Sequence, residues 1–313
     1  MSSSTRPQLK FGAGERWALG AAFAYALTNI FVRVAVRGDI NYLLGVSLRA
    51  TPVFLFSFAM GLSARRRNPR IVSPFSDWRL LAALVGYGIL TFVIANPLLF
   101  AALRFGGVLV TTPVTGTQVL WAGLLAALFL HDHLNWKMVI GMIICVGGIA
   151  LLALGQSGGA PVSPRWWLAI PFALAAALCW SLSGVLVTYA MRRGVNNFQS
   201  LAVATFSGIL CLNVYLLASG QVSLYWQTPL SVEGSVLLAG VFNTAALVCV
   251  TTALSLTTVA SANTINSLQV GIAPLIAWIF LGEQLNLLMG LGILSVMVGV
   301  MGVQWAKGGA TGR

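Results

Sequence analysis

The chain has 313 residues, of which 58% are hydrophobic and 8% charged, and it carries a net charge of +12. A soluble domain carries about 25% charged residues, so this chain cannot clothe a water-facing surface and reads as an integral membrane protein. The positive charge would suggest nucleic acid in a soluble chain, but Lys and Arg here stand in short clusters between apolar runs. That is the pattern of membrane orientation, and no nucleic-acid partner is expected.

Residues 1–16 are polar and basic and lack a short apolar core followed by a small-residue cleavage site, so they read as a cytoplasmic tail rather than a signal peptide. A bilayer-spanning helix needs about 20 apolar residues. Ten such segments can be drawn, over 17–36, 42–62, 79–100, 108–130, 138–155, 167–190, 198–218, 233–254, 260–281 and 287–305. The run Gln156–Arg165, rich in Gly, Ser and Pro, cannot continue a helix and divides the chain into halves 17–155 and 166–306, with a short tail at 307–313. Pro97, Pro113, Pro171 and Pro274 fall in or near the spans, where each gives a static bend or a moving hinge.

The ends of the halves repeat. Residues 101–155 and 252–306 align without a gap at a shift of 151, and about 15 of the aligned pairs are identical, against about five or six expected by chance in so apolar a composition. Identities include Gln118 with Gln269, Phe129-Leu130 with Phe280-Leu281, Leu134-Asn135 with Leu285-Asn286, and Gly141 with Gly292. Each copy reads as an apolar helix, a short polar turn and a Gly-studded apolar helix. Repeats of this kind pack around a shared central site.

An odd number of helices per half inverts the second half relative to the first. With the N-terminus inside, the inner side collects Arg65, Arg66, Arg67, Arg70, Arg79, Lys137, Arg192 and Arg193 besides the tails, while the outer loops hold Arg37, Arg104 and Arg165. Both termini are therefore expected in the cytoplasm. The expected fold is an all-α integral membrane protein of ten transmembrane helices built as two inverted five-helix repeats. Cys145, Cys179, Cys211 and Cys249 lie in separate apolar segments without metal-ligand spacing, so no disulfide framework, metal site or cofactor is expected.

These features resemble the drug/metabolite transporter superfamily and, within it, its EamA-type members. The turn Gly282-Glu283-Gln284-Leu285 fits that family's G-E-x-L pattern, while His131-Asp132-His133-Leu134 keeps only the acid and the Leu. Trp180-Ser181 matches an aromatic beside a small residue in the first helix of a half, Tyr25-Ala26 matches it loosely, and Arg49 in Ser47-Leu48-Arg49-Ala50 is similar to the family's second helix. The resemblance implies a carrier of small metabolites in a bacterial inner membrane, commonly an exporter working by alternating access. Amino acids and related compounds are frequent substrates. A homodimer is left open.

Polar groups inside lipid are costly unless they face the protein interior, so they come first as site candidates. Tyr25, Asn29 and Arg33 recur every four residues and share one face of the first helix. Arg33 either belongs to that polar stripe or snorkels to the headgroups. Arg49 lies too deep in its span for snorkelling, and either binds an anionic substrate group or hydrogen-bonds backbone carbonyls. Gln118 and Gln269, equated by the repeat, are expected on facing sides of a central cavity or bonded between helices. Tyr87, Trp121, Trp180, Ser183 and Asn243 lie near them in depth as an aromatic and polar lining. Asn96 and Asn213 are expected toward the outer side, Asn263 and Asn266 toward the inner.

The acids Glu15, Asp39, Asp77, Asp132, Glu233 and Glu283 all fall in tails, loops or helix ends, which disfavours proton coupling through a carboxylate within the membrane. No D-D-x-x-D, H-E-x-x-H or membrane-buried His base is present, so an intramembrane enzyme is disfavoured. A non-transporting sensor stays open. Among substrates, paired glutamines, aromatics and a single deep Arg suit a neutral amino acid or similar zwitterion, whereas organic anions or phosphorylated metabolites would call for more cations.

Overall fold

The computed structural model describes residues 12–130, 136–157, 163–257 and 259–310. The expected turn at His131-Asp132-His133, the centre of the linker between the halves and the outer parts of both tails lie outside the described residues. Within those bounds every regular element is helical. Nine stretches of the described residues are long and apolar enough to cross a membrane.

In the first half, α1 (Ala13–Arg37) and α2 (Tyr42–Arg67) are long apolar helices. Asn41 starts α2, its Oδ1 accepting from the Leu43 and Leu44 amides at 2.9 and 3.3 Å and so satisfying donors that a helix start leaves open. Asp77 caps α3 (Trp78–Gly88) in the same way through the Arg79 amide. α3 runs into a π-helical turn, Ile89–Ala95, and then into α4 (Asn96–Gly116). The π turn has a local cause. Pro97 offers no amide to the preceding turn, and the Asn96 amide reaches back five residues to the Thr91 carbonyl instead.

Two of the expected spans, 79–100 and 108–130, are not separated by a loop. They fall on one 45-residue stretch, Trp78–Ala122, about 68 Å long if it were straight. The break is a single residue: Gly107 has φ 68° and ψ −171°, a conformation that costs a side-chain-bearing residue dearly. A second break follows at Thr117, where α4 gives way to α5 (Gln118–Leu130). The second half repeats both features. α10 (Leu230–Leu256) ends at the extended Thr257, and α11 (Val259–Asn266) gives way to α12 (Gln269–Leu281). Thr257 lies 150 positions after Gly107, and the start of α12 lies 151 after that of α5.

The remaining elements are α6 (Trp136–Ser157), α7 (Ala169–Arg192), α8 (Asn197–Ala218), the one-turn α9 (Leu224–Gln227) and α13 (Leu287–Ala310). α1 packs along α10, α7 along α4, and α2 against α8. The closing helices α6 and α13 pack on each other.

Their seam is built from glycines in reciprocal pairs. A Cβ at Gly148 would stand 2.9 Å from the Gly292 carbonyl and one at Gly292 would stand 2.8 Å from the Gly148 carbonyl, while Gly141 and Gly299 oppose each other in the same way at 2.9 and 2.6 Å. At a shift of 151, Gly148 is the counterpart of Gly299 and Gly141 that of Gly292. Between the two pairs Cys145 meets its own counterpart, its Sγ lying 3.6 Å from the Val296 carbonyl. Reciprocal contacts of this kind define a local two-fold between antiparallel helices. Backbones approach so closely only where side chains are absent, because packing, not hydrophobic exclusion, drives association in lipid.

Candidate functional site

The helix breaks before Gln118 and Gln269 and the π turn border a central cavity of 1030 Å³. Its walls come from both halves. α1 contributes Tyr25, Thr28 and Asn29; α2 contributes Arg49; α3 and the π turn contribute Tyr87, Thr91 and Phe92. From α4 come Asn96, Thr112 and Thr115, and from the second half Trp180, Ser181, Asn243, Asn263 and Asn266. Gln118 and Gln269 line it from the first positions of α5 and α12. One end of the lining reaches Arg192, an exposed residue that ends α7.

Arg49 is the buried cation of this cavity, only 6% exposed. Its Nη2 donates to Asn96 Oδ1 at 2.5 Å, and its guanidinium lies 5.8 Å from the Phe100 ring centroid. Among the described residues no carboxylate lies within ion-pair distance of it. Of the two sequence expectations for Arg49, bonding of its guanidinium to a backbone carbonyl is not present among the described residues. Asn96, expected toward the outer side, orients the guanidinium. The one-residue Pro97 effect explains this, since the π turn rotates Asn96 relative to a regular helix.

At the half-helix starts, Gln118 and Gln269, part of the first-turn amide set is already used. The chain tightens into short turns there, with Leu120 N bonded to the Thr117 carbonyl at 2.8 Å and Gly271 N to Leu268 at 3.0 Å. Among the side chains that line the cavity, Arg49 is the deep positive charge. Asn29 Nδ2 donates to Thr112 Oγ1 at 3.4 Å across the α1–α4 interface, and Ser181 Oγ donates to the Gln118 carbonyl at 2.7 Å.

Eight of the expected residues line the cavity: Tyr25, Asn29, Arg49, Tyr87, Gln118, Trp180, Asn243 and Gln269. Three do not. Ser183 turns back to the Trp180 carbonyl at 2.8 Å, and Ser181, two positions earlier on the helix, takes its place in the lining. Trp121 packs away from the cavity, its Nε1 buried without a hydrogen-bond partner among the described residues. Arg33 is neither in the cavity nor snorkelling; it is 4% exposed and held in an ion pair.

That pair joins Arg33 Nε to Glu283 Oε1 at 2.9 Å. Arg33 Nη1 also donates to the carbonyls of Leu103 and Arg104 at 2.7 and 3.1 Å. The other carboxylate oxygen of Glu283 accepts from the amides of Val108 and Leu109 at 2.9 and 3.1 Å, where the helix resumes after Gly107. Glu283 sits in the α12–α13 connection as the sequence places it, but it is buried at 3% exposure rather than solvated. An acid in a connection reads as a surface residue, and only the remote glycine that makes room for it says otherwise. The pair borders a second, smaller cleft of 600 Å³, with Arg37, Asp39, Arg104 and Gln284 around it.

Apolar helices long enough to cross a membrane, in two repeated halves around a cavity, define a multi-pass membrane protein. The chain belongs to the EamA-like transporter family, which matches residues 12–154 and again 167–305. No curated protein matches the chain by sequence. A solved structure described only as "Crystal structure of protein" superposes with a TM-score of 0.62 over 96% of this chain and 99% of its own, at 15% sequence identity, which is a likeness of fold. The protein is thus a membrane transporter.

Proposed function

We propose that this chain is a secondary transporter exporting a small zwitterion, an amino acid or a close relative, by alternating access through the central cavity. The observation that carries this is Arg49, a buried cation facing the cavity with no carboxylate partner among the described residues. A substrate carboxylate fits it through charge-assisted hydrogen bonds, among the stronger polar contacts available to a ligand. The amide oxygens of Gln118, Gln269 and Asn243 and the faces of Tyr25, Tyr87 and Trp180 suit the ammonium group. An exchanger of organic anions is the second reading, favoured by Arg192 at the cavity's end and by the absence of acids among the described lining residues.

The topology that goes with this function is ten crossings, with the 45-residue stretch folding back at Gly107, in two inverted five-helix halves at 17–155 and 166–306. Both termini lie in the cytoplasm of a bacterial inner membrane. With the arginine-rich face inside, the cavity opens to the cytoplasm and the Arg33–Glu283 end is closed.

The test is ligand binding by purified protein, read as thermal stabilisation, with amino acids compared against their deamino acids. A zwitterion carrier prefers the amino acid, loses all binding in Arg49→Gln and loses the amine preference in Gln118→Ala and Gln269→Ala. A preference for the deamino acid would establish the anion exchanger, and binding untouched by Arg49→Gln would overturn the site.

A further inference from the structure

We propose that the Arg33–Glu283 pair, docked on the helix start behind Gly107, is the latch that closes the substrate path on the side of Arg37 and Arg104. This rests on the transport reading of the central cavity.

The latch stands between two spaces. Asn29 and Thr112 touch each other at the wall of the central cavity. One turn further along α1 from Asn29 is Arg33, and one turn back along α4 from Thr112 is Val108, whose amide holds Glu283. Arg33 and Glu283 in turn border the outer cleft. The barrier between cavity and cleft is therefore one helical turn, about 6 Å. Its charged groups are fully engaged, with Arg33 bonded to Glu283 and to two carbonyls, and Glu283 bonded to Arg33 and to two amides, with the exposed Arg37 Nη2 3.9 Å from its Oε1.

Gly107 makes this arrangement possible. A Cβ there would stand 2.5 Å from Glu283 Oε1 and 2.7 Å from Oε2, so any other residue would push the carboxylate off the helix start. The second closing device is the connection itself. Glu283 follows Gly282, which ends α12 in the left-handed conformation at φ 64°, so α12 and α13 carry the acid between them. Opening the path requires Glu283 to leave Arg33 and the helix start together. Loss of either partner then biases the carrier toward opening on this side, and loss of the carboxylate biases it most.

The test reads access, not transport. In a background with Cys145, Cys179, Cys211 and Cys249 replaced by Ala, Asn29→Cys is labelled with a membrane-impermeant maleimide applied from the Arg37 side. Glu283→Gln should raise the labelling rate about tenfold or more, as a shift in the open population of that size requires. Arg33→Gln should raise it less, because Glu283 keeps its two backbone donors, and Arg33→Lys should stay near the parent. Labelling from the Arg192 side reports that each variant is folded. If Glu283→Gln does not reach the membrane, the ordering of Arg33→Gln over Arg33→Lys carries the test. Unchanged labelling in folded Arg33→Gln and Glu283→Gln would overturn the latch and leave the pair as a static staple. No substrate enters the assay, so a wrong substrate assignment would leave the result standing.

Discussion

Gly148→Ala measures how much of the fold rests on the α6–α13 seam. The added Cβ would stand 2.8 Å from the Val296 amide nitrogen and 2.9 Å from the Gly292 carbonyl oxygen. A carbon normally rests about 3.3–3.6 Å from a carbonyl oxygen, so the two helices must separate by roughly half an ångström. The Val296 Cγ2 methyl, 2.7 Å from the added Cβ, can shift, but the amide nitrogen and the carbonyl oxygen belong to backbone and cannot swing aside. Overpacking of this kind costs about 1–3 kcal/mol, or a fall of about 2–10 °C in melting temperature for a chain of this size. Gly147→Ala is the control, because a Cβ there meets nothing within 4 Å. Removing that glycine gains helix propensity, up to about 1 kcal/mol, so its melting temperature should hold or rise. Gly299→Ala, the repeat counterpart of Gly148→Ala, faces the Gly141 carbonyl at 2.6 Å and should fall at least as far. Thermal melts of the purified variants in one detergent decide it. Equal melting of Gly148→Ala and the parent, or an equal fall in Gly147→Ala, would refute the seam.

Asn96→Ala should remove the hydrogen-bond partner of a buried guanidinium and cost about 1.5–3 kcal/mol, seen as a lower melting temperature that a carboxylate ligand partly restores. Trp121→Phe should leave ligand binding unchanged and stability within about 1 kcal/mol, because the indole NH makes no bond among the described residues; Trp180→Phe, at the cavity wall, should weaken binding when both are titrated with the same ligand. Thr257→Val should lose the 2.7 Å bond to Glu15, and denaturation should show a small loss of stability.

The spans, the repeat and most of the cavity were legible because each is written locally. Runs of apolar residues announce membrane helices, and Tyr25 and Asn29 share a face by spacing alone. Arg49 stood out because a cation deep in a span must have an interior purpose. Gln118 and Gln269 needed only the repeat. The latch was not legible, since Arg33 and Glu283 are 250 positions apart and a turn acid carries no sign of burial. Its signal was Gly107, a glycine between two apolar spans that reads as an ordinary loop residue. The helix breaks at Thr117 and before Gln269 were hidden for a different reason. Hydropathy is continuous across them, and backbone direction leaves no mark on an apolar average. The choice of Ser181 over Ser183, and of Asn96 as the partner of Arg49, depends on rotation about a helix axis, which for Asn96 the π turn shifts.

Where Cys145 faces Val296, the chain meets itself. In a dimer of two identical half-length chains, any substitution at that site would be made twice, once on each side of the same contact. A single chain carrying both halves is free of that constraint and can place a thiol against a valine. At the four seam glycines the freedom is unused, for a side chain on either face would part the same two backbones. Divergence between the halves is thus cheapest where the repeat contacts its own image through side chains, and dearest where it does so through backbone. The two halves can become chemically different around the cavity while their closing helices stay interchangeable.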